Sequence, residues 1–573
     1  MSTEGKEVFD LSFVLQDSDS ENESDDHPAL ELVDGLEDAK WDAHEMDEED
    51  VLYSWVSSEN VSAGGPMHSM LDLKFTDVPG SRVITVAWKP VDYFLAYFPP
   101  SLFKRIAEET NRYASQFVAA NPKLPMFSRF QKYTPTNAEE LMVFVALEMS
   151  MGMCVKADVS EYWITSGLNV TPVYKKMMSR DRFICLRSIL HFNDNSMCPE
   201  PGSADYDPMF KVRPINDVMK ELCLKNYVPH ENLCVSESLR YRWRTFKNQL
   251  VPSEPQNSEM KIWCLCDSTN GMCLNWKIHC GEKPSSNGLG MDVVTELSAP
   301  YFNTCRVIYH GKFFTSPALA LYLSKKGLGS CGPVCLKRDD IPKALQKSPG
   351  KVDSDSVLFY KDQPTGLVMS SSRSWSDRRR VNYLSTVHGN EVVHKRVTSR
   401  KSPQGHQDVQ KPKMVADVNE FMTGVNSMNK FTAKYINKTK CRKNYLIIYD
   451  FLKEVAMFNA YILHKESTEK AGSYRSFRDD VVLGLIEIYH NTGQPSPRVH
   501  SYDSTFVPER MRGRHFIEQM HEWKTPRDCV VCSDRKTRQR HQTSNGCPDC
   551  GVALCVGKCF KRYHTCFEFK LHS

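Results

Sequence analysis

The last 45 residues hold seven cysteines in a paired pattern. They run Cys529-x2-Cys532, Cys547-x2-Cys550 and Cys555-x3-Cys559, followed by His564 and Cys566. A tetrahedral zinc site takes four thiolate or imidazole ligands, and a C-x2-C turn aims two thiolates at one ion. Six paired cysteines and a histidine exceed what one ion can use, so the spacing predicts two zinc ions in a cross-brace. Pairs one and three serve one ion; pair two and His564 serve the other. Cys566 and His541 are the candidates for the eighth ligand. Disulfides or scattered buried thiols are the competing readings, and the regular spacing speaks against both.

The other thirteen cysteines, such as Cys264, Cys266, Cys331 and Cys335, are spread through apolar segments. Free cysteine packs as a small apolar group, and such scatter fits a reducing compartment. No run approaches the ~20 apolar residues of a membrane span. The acidic N-terminus lacks the basic start and apolar run of a signal peptide. A nuclear location is expected, with no membrane partner.

Charge is divided along the chain. The first 50 residues contain 19 acidic residues and two lysines, a net −17, so the overall +3 leaves +20 on the remainder. Self-repulsion and low apolar content predict disorder in the acidic segment, with Ser18, Ser20 and Ser24 as sites for an acid-directed kinase. The basic remainder points to a polyanionic partner.

The elements that must position these groups follow from periodicity. Residues 51–90 read as a linker. A helical pattern runs from about Val91 to Tyr227, with Leu102, Ile106, Thr110 and Tyr113 at helical spacing and another amphipathic stretch beginning at Asp181. Short apolar runs at Leu233–Leu239, Lys261–Asp267 and Met272–His279 predict strands, the last two separated by the turn Ser268-Thr-Asn-Gly271. A helix at Met291–Leu297, a strand at Cys305–His310 and a helix at Pro317–Lys325 follow. This order fits an RNase H-like fold. Residues 349–413 read as a polar, basic insertion with strands at Ser356–Tyr360, Gly366–Ser370 and Arg380–Ser385. Lys395-Arg-x3-Arg-Lys401 adds charge there, as does Lys411-Pro-Lys413. Helices resume at Val418–Lys430 and Asn444–His464.

Several segments together resemble the piggyBac family of DNA transposases and their domesticated descendants. They are Asn111-Arg-Tyr-Ala, Arg182-Phe-x3-Arg-Ser-Ile-Leu-His-Phe-Asn-Asp, Lys211-Val-Arg-Pro-Ile, Phe313-Phe-Thr-Ser, Trp375-Ser-Asp-Arg-Arg-Arg, Gly424-Val-x5-Phe and Asn459-Ala-Tyr-Ile-Leu. The terminal Cys555-x3-Cys559-Phe-x2-Tyr-His564 extends the match, which covers roughly residues 90–566. The resemblance implies a multidomain α/β protein. It has an RNase H-like core with a β-rich insertion, a flanking split helical domain and a C-terminal cross-brace zinc module. The expected boundaries are 1–89 for the acidic region and linker and 90–230 for the first part of the helical dimerisation and DNA-binding domain. The core spans 231–348, the insertion 349–413, the end of the core with the second helical part 414–510, and the zinc module 511–573.

The resemblance also implies three metal-binding aspartates, because paired divalent ions need hard anionic ligands. Here the matching positions are Ser236, Gly311 and Asn426, and a further family carboxylate is Asn429. Glu237 neighbours Ser236 but alternates to the other face of its strand. Asp267 and Asp339 or Asp340 are the remaining carboxylates available to an active enzyme. The expectation is therefore no catalytic magnesium and no enzymatic activity. DNA binding is expected, on terminal-repeat-like sequence, through Lys312, Arg378, Arg379, Arg380, Arg535, Lys536, Arg538 and Arg540, in a homodimer working with chromatin proteins. Solvated basic surface or a nuclear import signal is the plainer reading of those clusters. A protein-interaction scaffold built on the zinc module is the alternative function.

Overall fold

The computed structural model describes residues 55–57, 74–83, 87–124, 128–200, 202–203, 205–241, 260–280, 284–335, 341, 358–362, 365–373, 380–398, 406–436, 443–468, 471–491, 510, 515–533, 540–566 and 569–570. The acidic segment, with Ser18, Ser20 and Ser24, lies outside them. The described residues form two compact units: those up to 157 with those of 181–494, and those of 158–180 with those beyond 494.

The first unit is built on one nine-stranded sheet. Its strands are β1 (Trp55–Ser57), β2 (Asn232–Tyr241), β3 (Met260–Asp267), β4 (Cys273–His279), β5 (Val307–His310), β6 (Gly329–Pro333), β7 (Leu358–Asp362), β8 (Val368–Arg373) and β9 (Arg380–Ser385). The spatial order is β1-β7-β8-β9-β6-β5-β2-β3-β4. Within it, β4-β3-β2-β5-β6 forms the RNase H-like arrangement: β2 and β3 pair antiparallel, as do β3 and β4, while β2–β5 and β5–β6 are parallel. The expected insertion does not stand wholly apart: β7, β8 and β9 continue the core sheet beyond β6. A separate two-stranded ribbon follows, β10 (Val392–Thr398) and β11 (His406–Pro412). The expected linker supplies the edge strand β1, paired with β7.

Helices pack on the sheet and on one another. They are α1 (Pro90–Leu95), α2 (Pro100–Ala120), α3 (Ala138–Met153), α4 (Arg180–Ile189), α5 (Arg213–Asn226), α6 (Leu289–Ser298), α7 (Pro317–Lys325), α8 (Lys413–Phe421), α9 (Gly424–Tyr435), α10 (Asn444–Ser467) and α11 (Tyr474–Asn491). The stretch expected as one helix at 418–430 is two, because helical pairing stops at Met422 and α9 restarts at Gly424. α2 is amphipathic and buries Leu102, Phe103, Ile106, Ala114 and Phe117 on one stripe. α3 is buried over most of its surface and starts on an Asn137 cap, whose Oδ1 accepts the Glu140 N–H at 2.8 Å. Asn459 of α10 plugs the edge of the sheet. Its Nδ2 donates to the Cys273 carbonyl at 2.8 Å and its Oδ1 accepts the Cys273 N–H at 2.9 Å. That pair satisfies backbone groups a buried edge would leave orphaned.

Charge is buried among these helices only in pairs. Arg478 and Glu454 are both essentially inaccessible, with Nη2 donating to Oε1 at 3.1 Å. Lys453 is buried between Glu148 (3.1 Å) and Asp450 (2.7 Å). Removing one member strands the other charge in low dielectric, a loss of about 3–5 kcal/mol. We therefore expect Glu454→Ala to lower the unfolding free energy by about that amount, read from the denaturation midpoint of the helical CD signal.

Candidate metal centres and core pocket

In the second unit the paired cysteines converge into two groups. One is Cys529, Cys532, Cys555 and Cys559; the other is His515, Cys547, Cys550 and His564, with the ligand atoms of each group within 4.8 Å of one another. Pairs one and three thus share one centre, as the spacing predicts. The residue that completes the second group is neither Cys566 nor His541 but His515, 14 residues upstream of the first cysteine. Neither residue falls in either group. His515 lacks a paired neighbour in sequence, so spacing gave it no signal; the fold brings it in.

The geometry suits zinc. An ion with Zn–S bonds of ~2.3 Å sets tetrahedral sulfurs about 3.8 Å apart. Cys532 Sγ and Cys555 Sγ lie 3.8 Å apart. His515 Nδ1 lies 3.4 Å from Cys547 Sγ and 3.6 Å from Cys550 Sγ, and His564 Nε2 lies 3.6 Å from Cys550 Sγ. His564 Nδ1 sits 2.9 Å from the Phe560 carbonyl. A proton on Nδ1 donates there and leaves Nε2 a free lone pair for the metal. Burial and then the neighbouring thiols Cys529 and Cys532 push Cys555 up to about 12. For Cys529, burial pulls the same way, but N–H groups of Cys532, Cys555 and Val531 outweigh it and the net shift is downward. Four crowded thiols cannot all ionise unaided; a divalent cation removes that conflict. Helix α12 (Lys558–Thr565) carries Cys559 and His564, one to each group, so it ties the two centres together.

The core pocket is set by β2, β5 and α9. Val235 is registered against His310 across parallel strands, so Ser236 and Gly311 are the next residues on neighbouring strands. Helix α9 lies over the same place. A Cβ on Gly424 would come within 2.7 Å of Cys234 Sγ and 2.6 Å of the Asp267 carbonyl. One helical turn on, Asn429 accepts a 2.6 Å hydrogen bond from Ser238. Cys234 and Ser236 alternate onto the face under α9, and Ser238, the unpaired residue of a β-bulge between Glu237 and Leu239, reaches that helix through Asn429. Asn429 is buried, whereas Asn426 is exposed. Glu237 falls on the other face, that of its cross-strand partner Trp263. Trp263 is registered in turn against Lys277, which pairs with Glu296 of α6 at 2.6 Å. Next to Gly311, Lys312 is exposed and Gly311 has open space where a side chain would stand.

His310, below the pocket, is fully buried between Thr315 Oγ1 (2.9 Å) and Ser330 Oγ (2.8 Å), and burial lowers its pKa to about 4. It is a neutral strut. Asp267 is also structural. It is fully buried, it accepts the backbone N–H groups of His230 and Thr269 at 2.8 and 2.9 Å, and it is paired with Leu233, three residues along β2 from Ser236.

Of the residues expected to touch nucleic acid, Arg378, Arg379, Arg535, Lys536 and Arg538 lie outside the described residues, as do Asp339 and Asp340. Arg380 opens β9 opposite Arg373. Arg540 is exposed and paired with Asp528 at 3.1 Å.

A family model described as Transposase IS4 matches residues 89–461. Among curated proteins, PiggyBac transposable element-derived protein 3 of Homo sapiens is 28% identical over 411 residues, covering 68% of this chain and 63% of that protein. The chain thus spans less than two thirds of that relative. PiggyBac transposable element-derived protein 2 of Homo sapiens is 28% identical over 492 residues, covering 83% of this chain and 76% of its own. Among solved structures, a cryo-EM structure of the piggyBac transposase synaptic complex with hairpin DNA shares the fold. Its TM-score is 0.60 at 23% identity, covering 81% of this chain and 95% of that one.

The two glycines of the pocket should respond oppositely to substitution. Gly311→Asp meets open space and should move the unfolding free energy by less than about 0.5 kcal/mol. Gly424→Ala drives a methyl into β2 and should cost about 1–3 kcal/mol. Chemical denaturation of the two variants checks both.

Proposed function

We propose, because this chain belongs to the transposase IS4 family of piggyBac type, that it is a domesticated member that binds DNA in the nucleus and no longer cuts it. One observation carries the reading: the junction of β2, β5 and α9 is built, yet it presents Ser236, Gly311, Asn426 and Asn429. Two close divalent ions need several anionic oxygens to offset their charge. Hydroxyl, amide and backbone groups do not supply that charge. Lys312 beside Gly311 adds positive charge where a metal would add it. The pocket is thereby suited to a phosphate without metal.

In this reading the zinc module and the basic remainder of the chain, +20 outside the first 50 residues, contact phosphates in a homodimer on chromatin. The similar solved structure is a complex with hairpin DNA, which supports nucleic acid as the partner class. A second reading, a protein-binding scaffold, has one observation in its favour. A cleft of about 370 Å³ beside α12 has Val531 and Cys559 in its lining and Lys558, Lys561, Arg562 and Thr565 around it, a surface for an acidic peptide. Duplex DNA that fails to compete with such a peptide would favour the scaffold.

Two zinc ions per chain are expected. Native mass spectrometry should show both lost on chelation, and residues beyond about 515 should then unfold while the first unit persists, since ligation energy in small modules is folding energy. A count of zero overturns the metal assignment.

No strand cleavage or transfer is expected in Mg²⁺ or Mn²⁺. Duplex binding by zinc-loaded protein should be equal with and without Mg²⁺ and fall steeply with salt. The double variant Gly311→Asp, Lys312→Asn should make binding respond to Mg²⁺. Metal-dependent cleavage by the wild-type chain overturns the reading.

A further inference from the structure

Helix α9 turns one side to the protein and the other to solvent. Val425, Met428, Asn429 and Thr432 are buried. Asn426, Lys430 and Lys434 are exposed. Spaced four apart, these three stand one above another on the outer side. The stripe begins at the pocket, where Asn426 stands, and reaches Lys434 about 12 Å along the helix axis. Both ends of the helix are seated. Gly424 meets Cys234 and the Asp267 carbonyl, and the Tyr435 carbonyl lies where a side chain on Gly152 of α3 would stand. Phe431 packs between them on Phe458 of α10 and Tyr474 of α11, with ring centroids 5.6 and 5.1 Å apart.

Charge on the outer side has one sign. Gly424–Tyr435 contains no acidic residue. Among the described residues no carboxylate pairs with Lys430 or Lys434, nor with Lys312 beside Gly311. Elsewhere in this unit exposed cations such as Arg112 and Lys413 have carboxylates at 2.9 and 3.2 Å. Lys434 lies in the last turn, where the negative end of the helix dipole favours a cation. Lys430 stands a turn earlier, where that field is weak, and at this spacing the two like charges repel each other. A folding role accounts for Lys434 but not for the pair. An anion lying along the helix relieves the repulsion.

We infer that the outer stripe of α9 binds the phosphate backbone of duplex DNA through Lys430 and Lys434, continuing outward from Lys312 at the pocket. Successive phosphates call for positive charge along a line, on a support that does not move, and for no particular base. The stripe therefore supplies affinity and orientation, not sequence choice. The inference rests on DNA being the partner proposed above. It adds two residues to that reading and a direction for the strand, from the pocket along α9.

The test is a salt titration of duplex affinity for the full-length, zinc-loaded protein, wild type against Lys430→Gln with Lys434→Gln. The slope of log affinity on log salt should become shallower by about two, one for each lost phosphate contact, whatever the duplex sequence. Lys430→Arg with Lys434→Arg keeps the charge and should keep the slope. The control is Lys325→Gln with Lys326→Gln. Those lysines close α7, where the Lys326 carbonyl accepts the Asn303 N–H at 2.8 Å. Asn303 precedes β5 and Gly311 follows it, so the control lies at the far end of that strand from the pocket. It should leave the slope unchanged. Matching thermal melts establish that all variants are folded. An unchanged slope in the α9 glutamine variant, or an equal loss in the control, overturns the stripe and leaves DNA binding standing. Absence of any duplex binding by wild type overturns the proposed function, and the stripe with it.

Discussion

Strand β2 is the constraint on which the first unit depends. It is paired on both sides, antiparallel to β3 and parallel to β5, with Leu233, Cys234 and Val235 fully buried. A strand in that position has no freedom of register, because a one-residue slip would turn its whole apolar set to the wrong face. Everything at the pocket inherits that register. It fixes Ser236 beside Gly311, and it puts Cys234 and Ser238 where α9 lands. The landing itself requires Gly424, since any Cβ there would overlap the Asp267 carbonyl and Cys234 Sγ. Close packing of this kind is retained whether or not chemistry occurs on top of it.

Charge is treated differently in the scaffold and in the pocket. Where helices bury ions, each has its partner, as with Arg478 and Glu454 or with Lys453 between Glu148 and Asp450. These pairs are costly to break and hold the helical layer in one arrangement. At the pocket the residues are neutral or, at Lys312, cationic. A fold can keep the first set and lose carboxylates from the second, because pocket acids of an enzyme are mutually repulsive without metal and contribute little to folding. The cysteine-rich unit follows a third logic. Cys529, Cys547 and Cys559 sit in its small core with Val531 and Leu554, and a metal held by its two Cys/His groups would supply what so small a core cannot.

Local pattern decided much of this protein. Cysteine spacing was enough for two cross-braced centres, since a C-x2-C pair is a local geometric unit. Apolar alternation located β2, β3 and β4, and α7 falls at Pro317–Lys325 as its pattern predicts, because Ser316 caps it and Pro317 suits its first turn. Other features were not local. β6 reads Gly-Ser-Cys-Gly-Pro and has no strand-like composition. It is a strand because Gly332 must pass within reach of the His310 carbonyl and Thr315, a contact between residues far apart in sequence. His515 stands outside the Cys-x2-Cys spacing, and only the folded module sets it against Cys547, Cys550 and His564. Residue types and short spacings thus determined which ligands and charges the chain can offer. The tertiary structure decided which of those residues meet, because strand register and helix landing are set by burial summed over the whole core.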